Sequence, residues 1–218
     1  MLFRASIARL PILPWVLPLD CACCFARALP DESGALCSRC ARERQAAPGL
    51  AVPVGLDACL AAFAYDGVVA HEVLSMKASG RFGALPFMAQ AMYGVVKPSL
   101  RPDSLITWPP TSKRRAAHRG FDQAEELARA LARQSGLVAA RVLDRVSTAA
   151  QHGADLRGRS AVAFRARSLF APGEWPPIVL VDDVRTTGAT FGAAARAIRD
   201  KGGEKIIGIA YAATPQRR

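Results

Sequence analysis

No apolar run in the 218-residue chain approaches the ~20 consecutive residues that a helix needs to cross a bilayer, so no membrane span is expected. The nearest approach is within the first 20 residues, where Pro11, Pro14 and Pro18 interrupt it. Arg4 and Arg9 precede that apolar part, yet no small-x-small cleavage site follows and Asp20 stands directly before Cys21. Both features argue against a secretory or lipoprotein leader, and the expected compartment is the cytoplasm. Acidic residues are few: 18 against 29 Lys and Arg, a formal net charge of +11. That shortage disfavours basic partners and favours polyanions such as nucleic acid, phosphate-rich small molecules or an anionic membrane surface. The excess is uneven, since residues 113–167 hold twelve basic and five acidic side chains. Aromatic residues are scarce in that block, where Phe121 and Phe164 are the only rings on which a base could stack. No internal repeat is visible, and His118 and His152 have no evident carboxylate partner, so neither is expected to act as a catalytic base.

Hydrophobic residues make up 51% of the chain and charged residues 22%, the balance of a folded protein with one sizeable core and a small appended module. Apolar segments alternate in type. LAAFAY (60–65), SLITWP (104–109), IVLVDDV (178–184) and KIIGIAYAA (205–213) suit strands. GALPFMAQAMYGVV (83–96), QAEELARALARQSG (123–136) and TFGAAARAIRDKGG (190–203) suit helices, the second by the helical spacing of Leu127, Ala128, Leu131 and Ala132 before Gly136. Strands alternating with helices predict an α/β domain with a mainly parallel sheet. We expect a lead-in and cysteine module over residues 1–48, a linker rich in Ala, Pro and Gly over 49–59, and the α/β domain over 60–218.

The cysteines read Cys21-x-x-Cys24 and, twelve residues on, Cys37-x-x-Cys40. Two such knuckles supply four thiolates to one ion, which matches the tetrahedral preference of a structural Zn²⁺. In a reducing cytoplasm disulfides are disfavoured. Cys23 is an alternative to Cys21 as a ligand, and Cys59, in an apolar setting, reads as a small core residue.

The stretch IVLVDDVRTTGATF (178–191) carries the chemistry. A strand buried on both faces ends in Asp182 and Asp183, and ligands of open α/β sheets bind at that end. The turn that follows, Arg185, Thr186, Thr187, Gly188, Ala189 and Thr190, enters a helix, so backbone N–H groups and hydroxyls converge where an anion is favoured. Gly188 lets the backbone come close to such an anion. The carboxylates are then placed to hydrogen-bond sugar hydroxyls and to reach a hydrated Mg²⁺. The combination suits a sugar 5-phosphate.

This stretch resembles the phosphoribosyl pyrophosphate motif of type I phosphoribosyltransferases. Three further segments narrow the resemblance: FAYDGVVAHEVLSMKASGRFG (63–83), PPTSKRRAAHRGFDQAEELARAL (109–131) and AAQHGADLRGRS (149–160). With the N-terminal cysteine knuckles, their order is similar to that of the ComF family of competence-associated proteins, over essentially the whole chain. The resemblance implies a phosphoribosyltransferase-type fold with a four-cysteine zinc module, linked to DNA uptake or to nucleotide metabolism. It implies Asp182 and Asp183 on the ribose hydroxyls, residues 186–190 on the 5-phosphate, and Lys77 in a loop facing the pyrophosphate. Arg115, Arg119 and Gln123 are expected to face the same ligand. Asp122 replaces the family's usual Asn and reads as a helix N-cap, with Glu125 completing a capping box. Val162 stands where an Asn is usual, on the acceptor side.

Two functions follow as expectations. One is a glycosyl transfer from phosphoribosyl pyrophosphate with Mg²⁺, in which Asp182, Asp183 and Lys77 are the catalytic candidates. The other is a non-catalytic module for single-stranded DNA, for which the basic block speaks; DNA-uptake proteins are partners that the family resemblance implies.

Overall fold

A computed structural model describes residues 19–21, 23–24, 26–28, 36–79, 82–146 and 162–214. The lead-in before Leu19 and the AAQHGADLRGRS segment, with Gln151, Gly153 and Arg159, lie outside the described residues.

The chain opens with a short antiparallel pair, β1 (Leu19–Asp20) and β2 (Arg27–Ala28), and helix α1 (Ser38–Glu43). Five parallel strands then build one sheet: β3 (Ala58–Ala64), β4 (Leu105–Thr107), β5 (Val138–Ala139), β8 (Ile178–Arg185) and β9 (Ile206–Ala213), in spatial order β3-β9-β8-β4-β5. Helices α2 (Gly67–Ser79) and α3 (Leu85–Val96) link β3 to β4, α4 (Lys113–Arg119) and α5 (Gln123–Ser135) link β4 to β5, and α6 (Ala189–Arg199) links β8 to β9. An antiparallel hairpin, β6 (Leu143–Arg145) and β7 (Phe164–Ala166), stands apart from the sheet. The chain is thus a mixed α/β protein with a parallel five-stranded sheet, as its alternating segments predict.

β8 shows why the sheet holds. Ile178, Val179, Leu180 and Val181 are all buried. Val179 and Val181 pack with residues of α2, α3 and α5, whereas Ile178 and Leu180 pack with α6 and the hairpin. A continuous apolar run is what a strand covered on both faces requires, and each such side chain contributes roughly 1.5–3 kcal/mol by leaving water. The connection through α4 and α5 leads from β4 to one edge of the sheet, and the one through α6 leads from β8 in the opposite direction. The two crossovers part at the β4–β8 junction, and that divergence opens a crevice at the carboxyl ends of the two strands.

The cysteine module is tied to this sheet. Ala46 bridges Phe63 in antiparallel fashion, and Ala64 N–H donates to the Gln45 carbonyl at 3.0 Å, which covers the outer edge of β3. Arg44, just after α1, donates to Glu72 Oε1 at 2.7 Å, and the Tyr211 hydroxyl donates to Glu72 Oε2 at 2.5 Å. Glu72 is only 2% exposed. A buried carboxylate so engaged joins the module to α2 and β9, and removing one partner of such a pair typically costs about 3–5 kcal/mol.

Candidate functional site: a charged crevice at the strand tips

At the β4–β8 junction the structure holds a cavity of about 220 Å³. Its floor comes from the strand ends: Pro109, Pro110 and Thr111 after β4, and Asp182, Asp183 and Val184 on β8. Thr190, in the first turn of α6, lines it from one side. Lys77, Arg115, Arg119, Gln123 and Arg145 converge from four other elements. Larger cavities lie beside the cysteine cluster (about 500 Å³) and at the amino ends of the strands (about 460 Å³). Neither brings together so many opposed charges, so the smaller crevice is the candidate site.

The twin carboxylates fold back onto their own strand. Asp183 N–H donates to Asp182 Oδ1 at 2.9 Å and Val184 N–H donates to Asp183 Oδ1 at 2.7 Å. The second oxygen of Asp183 pairs with Lys77 Nζ at 2.7 Å. Burial, reinforced by the neighbouring Asp183 charge, pushes Asp182 well above the ordinary carboxylate range. Lys77 belongs to the last turn of α2 and not to a loop, so a helix end presents its ammonium.

On the other wall, α4 begins at Ser112, whose hydroxyl accepts from Arg115 N–H at 3.3 Å, and ends at Gly120 in the left-handed region (φ +78°). That reversal, which a glycine makes without strain, turns the chain directly into α5. Asp122 caps α5 by accepting from Ala124 N–H at 3.2 Å, and also accepts from Thr111 N–H at 2.7 Å. Burial raises the Asp122 pKa, against the pull of the Thr111, Glu125 and Ala124 amides. The expected capping box is half formed: the Glu125 side chain takes Arg129 at 2.7 Å instead. Arg119 donates to Gln123 Oε1 at 2.9 Å, and the buried Gln123 Nε2, in the crevice wall, has no partner among the described residues.

Arg145 is the residue sequence reasoning missed. It ends β6, two positions after the fully buried Leu143 and on the same side of the strand. Its guanidinium stands 5.8 Å from the Phe164 ring centre, across the hairpin. Burial, and then the nearby Arg115 charge, lower its pKa. The alternation in Leu-Asp-Arg was the available signal, but three residues are too few to read as a strand. Four cations thus face three carboxylates in the crevice, and one of these, Asp122, is committed to capping.

The loop after β8 differs in detail from expectation. Thr186, Thr187 and Ala189 are exposed, and Ala189 N–H donates to Thr187 Oγ1 at 3.3 Å. Gly188 has φ +80°, and a Cβ there would meet Pro53 Cγ at 2.6 Å and Arg185 Nε at 3.4 Å. Its missing side chain therefore makes room for residues packed behind the loop, not for a ligand in front. Arg185 is 2% exposed and donates from Nη2 to the Ala51 carbonyl at 2.9 Å. It is turned away from the crevice that holds the other candidates.

The four sulfurs of Cys21, Cys24, Cys37 and Cys40 all lie within 4.8 Å of one another, with Cys24 and Cys37 3.9 Å apart. Tetrahedral Zn²⁺ with bonds of about 2.3 Å needs sulfurs roughly 3.8 Å apart, so the donor set fits a structural zinc ion. Burial opposes ionisation of Cys21, but the N–H groups of Cys37, Cys24 and Cys23 outweigh it and bring that thiol down to about 7. Cys23 lies outside the set, against the Val68 carbonyl (3.6 Å) and His71 Nδ1 (3.8 Å), and burial raises it to about 11. The choice between Cys21 and Cys23 falls to Cys21. Cys59 is buried in the main core, as expected.

No protein-family model matches the chain, and comparison with curated proteins also found no match. Among solved structures, those that resemble it include three adenine phosphoribosyltransferases. That of Thermoanaerobacter pseudethanolicus is 17% identical, covering 63% of this chain and 71% of the other, with a TM-score of 0.39. That of Leishmania tarentolae is 12% identical (64% and 74% covered, TM-score 0.36). That of Saccharomyces cerevisiae, complexed with an imino-altritol bisphosphate and adenine, is 14% identical (62% and 71% covered, TM-score 0.34). Similarity at this level says nothing of activity. The functional reading rests on the chain's own crevice.

Proposed function

We propose that the chain is a phosphoribosyltransferase-type protein whose crevice takes 5-phosphoribosyl diphosphate, or a related phosphorylated ribose, with Mg²⁺. The observation that carries this is the convergence of Asp182, Asp183 and Thr190 with Lys77, Arg115, Arg119 and Arg145 around one cavity at the sheet's switch point. Thr190 at the start of α6, the twin carboxylates of β8 and the guanidinium groups of α4 and β6 reach the cavity from different elements. A pentose with a phosphate on one side and a diphosphate on the other offers a partner to each of these sets.

In this reading residues 186–190 hold the 5-phosphate through N–H groups and threonine hydroxyls. Asp182 and Asp183 accept from the ribose hydroxyls and fix the ring. The diphosphate falls to Arg115, Arg119 and Arg145, whose planar donor forks suit phosphate oxygens, and to the free N–H of Gln123. The crevice is smaller than the ~300–1,000 Å³ of ordinary ligand sites, and the Lys77–Asp183 pair spans part of it. The ligand parts that pair, and Lys77 moves from a carboxylate to a phosphate. The donor set also suits a hard cation: Asp183, with phosphate oxygens, would hold Mg²⁺, which supplies charge neutralisation on the leaving diphosphate. When the bond from ribose C1 to the diphosphate breaks and one from an acceptor nitrogen to C1 forms, the bonding pair leaves with the diphosphate, and the arginine guanidinium groups stabilise the negative charge that grows there.

The alternative, a single-stranded DNA module, finds little stacking surface among the described residues of the basic block: Phe164 is buried against Arg145, and Phe121 is half-buried. The link to DNA uptake or nucleotide metabolism rests on the ComF-like motif order alone. No helix among the described residues is long and apolar enough to cross a membrane. The deciding experiment is calorimetric titration of 5-phosphoribosyl diphosphate with Mg²⁺, followed by a pyrophosphate-release assay across a panel of bases. Saturable one-site binding supports the reading, and absence of binding removes it. Binding without release on any base leaves a ligand-binding protein of the same fold.

A further inference from the structure

Arg185 is anomalous on physical grounds. Its side chain is almost wholly buried, at 2% exposure, yet among the described residues it forms no ion pair. One donor reaches the Ala51 carbonyl and the Cys59 thiol lies within reach of the guanidinium, while Nε and Nη1 have no well-aligned hydrogen-bond partner among the described residues. A guanidinium taken out of water without a carboxylate is expensive, and each orphaned N–H adds to that cost. The Cys59 thiol does not supply the missing charge. Arg185 pulls its pKa down, but burial is stronger and leaves it raised. What stands beside the guanidinium is the loop: the bare face of Gly188 lies 3.4 Å from Nε, measured to the position a Cβ would take. On the outer side of the same loop are the exposed Thr186 and Thr187 and the start of the eleven-residue α6.

We propose that Arg185 is a positioning residue for an anion: a buried, uncompensated cation behind residues 186–190 whose charge is balanced when a phosphate group binds on the loop's outer side. The inference rests on the reading of that loop as the 5-phosphate site. The guanidinium is buried, so its attraction to an anion on the loop is screened less than that between two exposed charges. The arrangement couples affinity to stability. The empty protein carries the cost of the buried charge, and the phosphate relieves it. Linkage then makes phosphate binding stabilise the fold beyond what contacts at the loop surface alone would give.

The test compares wild type, Arg185→Met and Arg185→Lys by calorimetric titration with ribose 5-phosphate and by thermal unfolding with and without it. Methionine keeps bulk and removes charge, and lysine keeps the charge. The expected result for Arg185→Met is about tenfold or greater loss of affinity with unfolding temperature without ligand unchanged or raised, because an apolar replacement of a buried charge is often neutral or stabilising. Arg185→Lys should bind within about threefold of wild type. A second readout is the pH profile of binding. Phosphate gains its second charge near a pKa of about 6, so wild-type affinity should rise between pH 5 and 7.5, and the rise should shrink in Arg185→Met. If Arg185→Met is destabilised but binds as wild type with the same pH profile, Arg185 is only a clamp on Ala51 and the inference is overturned. If Arg185→Met does not fold, Arg185→Lys decides: tenfold loss there overturns the inference, and near-wild-type binding with an unchanged pH rise supports it. If wild type binds neither ribose 5-phosphate nor 5-phosphoribosyl diphosphate, the site reading itself has failed. Binding of the diphosphate alone, with no contribution from the 5-phosphate, overturns only the role of the loop and of Arg185.

Discussion

Lys77 Nζ and Asp183 Oδ2 stand 2.7 Å apart across the crevice, with their side chains 25% and 13% exposed. One comes from the last turn of α2 and the other from the tip of β8, so the contact closes the gap between a helix that touches the cysteine module and the strand that carries the twin acids. The two charges offset each other in the crevice, and in the proposed binding mode the ligand parts them.

Asp183→Asn should therefore lose 5-phosphoribosyl diphosphate affinity by roughly 10–100-fold, since a charge-assisted hydrogen bond is worth about 1.5–3 kcal/mol. Its unfolding temperature should change little, because loss of the Lys77 pair is offset by relief of the repulsion between Asp183 and Asp182. Calorimetry with Mg²⁺ present and a thermal scan measure both. Wild-type affinity in this variant removes the carboxylate from the ligand.

Arg145→Ala separates the two ends of the ligand. It should weaken 5-phosphoribosyl diphosphate and inorganic pyrophosphate by about tenfold or more, and leave ribose 5-phosphate nearly untouched. Equal losses for all three ligands would place Arg145 in general electrostatics instead of at the diphosphate end.

Asp182 sets a pH dependence. Its folded pKa is raised above the unfolded value of about 3.9, so the folded state holds the proton more tightly. The unfolded chain then binds fewer protons than the folded one above that value, and this group's contribution to stability falls as pH rises from about 4 through the raised pKa. Asp182→Asn, which cannot ionise, should be more stable than wild type at neutral pH, have a flatter stability profile over that window, and bind ligand more weakly. Parallel pH profiles for wild type and variant would show that Asp182 is ionised without penalty.

The cysteine cluster predicts one Zn²⁺ per chain, measured by metal analysis of the purified protein. Cys40→Ser should lose the ion and lower the unfolding temperature by several degrees or more, as structural zinc sites contribute directly to folding. Cys23→Ser should keep the full zinc content, because its sulfur faces Val68 and His71. Zinc lost from Cys23→Ser and retained in Cys21→Ser would reverse the assignment.

Gly188→Ala combines a left-handed backbone with a collision against Pro53 Cγ at 2.6 Å. It should cost about 1–3 kcal/mol and loosen residues 51–55 from the loop, read as a lower denaturation midpoint and faster amide exchange in both segments. An unperturbed midpoint would mean that the loop and Pro53 are not packed together in solution.

Much of this protein was written locally. The apolar run ahead of Asp182 identified a strand covered on both faces, and the helical spacing of Leu127, Ala128 and Leu131 identified α5, because periodicity and turn residues act over a few positions. The cysteine spacing likewise named its own ligands down to a single ambiguity. α4 escaped because KRRAAHR has no apolar stripe; it is held by the Ser112 cap and the turn at Gly120. The hairpin that carries Arg145 escaped because its strands are three residues each and pair across an intervening segment.

What the chain's own order of residues determined was the inventory: two acids at a strand tip, a hydroxyl-rich turn into a helix, four thiols in two knuckles and an excess of cations. Only the tertiary structure decided their partners. It joined Lys77 to Asp183 over more than a hundred residues of chain, brought Arg145 opposite Arg115, chose Cys21 over Cys23, and turned Arg185 inward beneath Gly188. The reason is range: backbone preference and periodicity act between neighbours, whereas ion pairing and burial depend on which surfaces the closed sheet brings together.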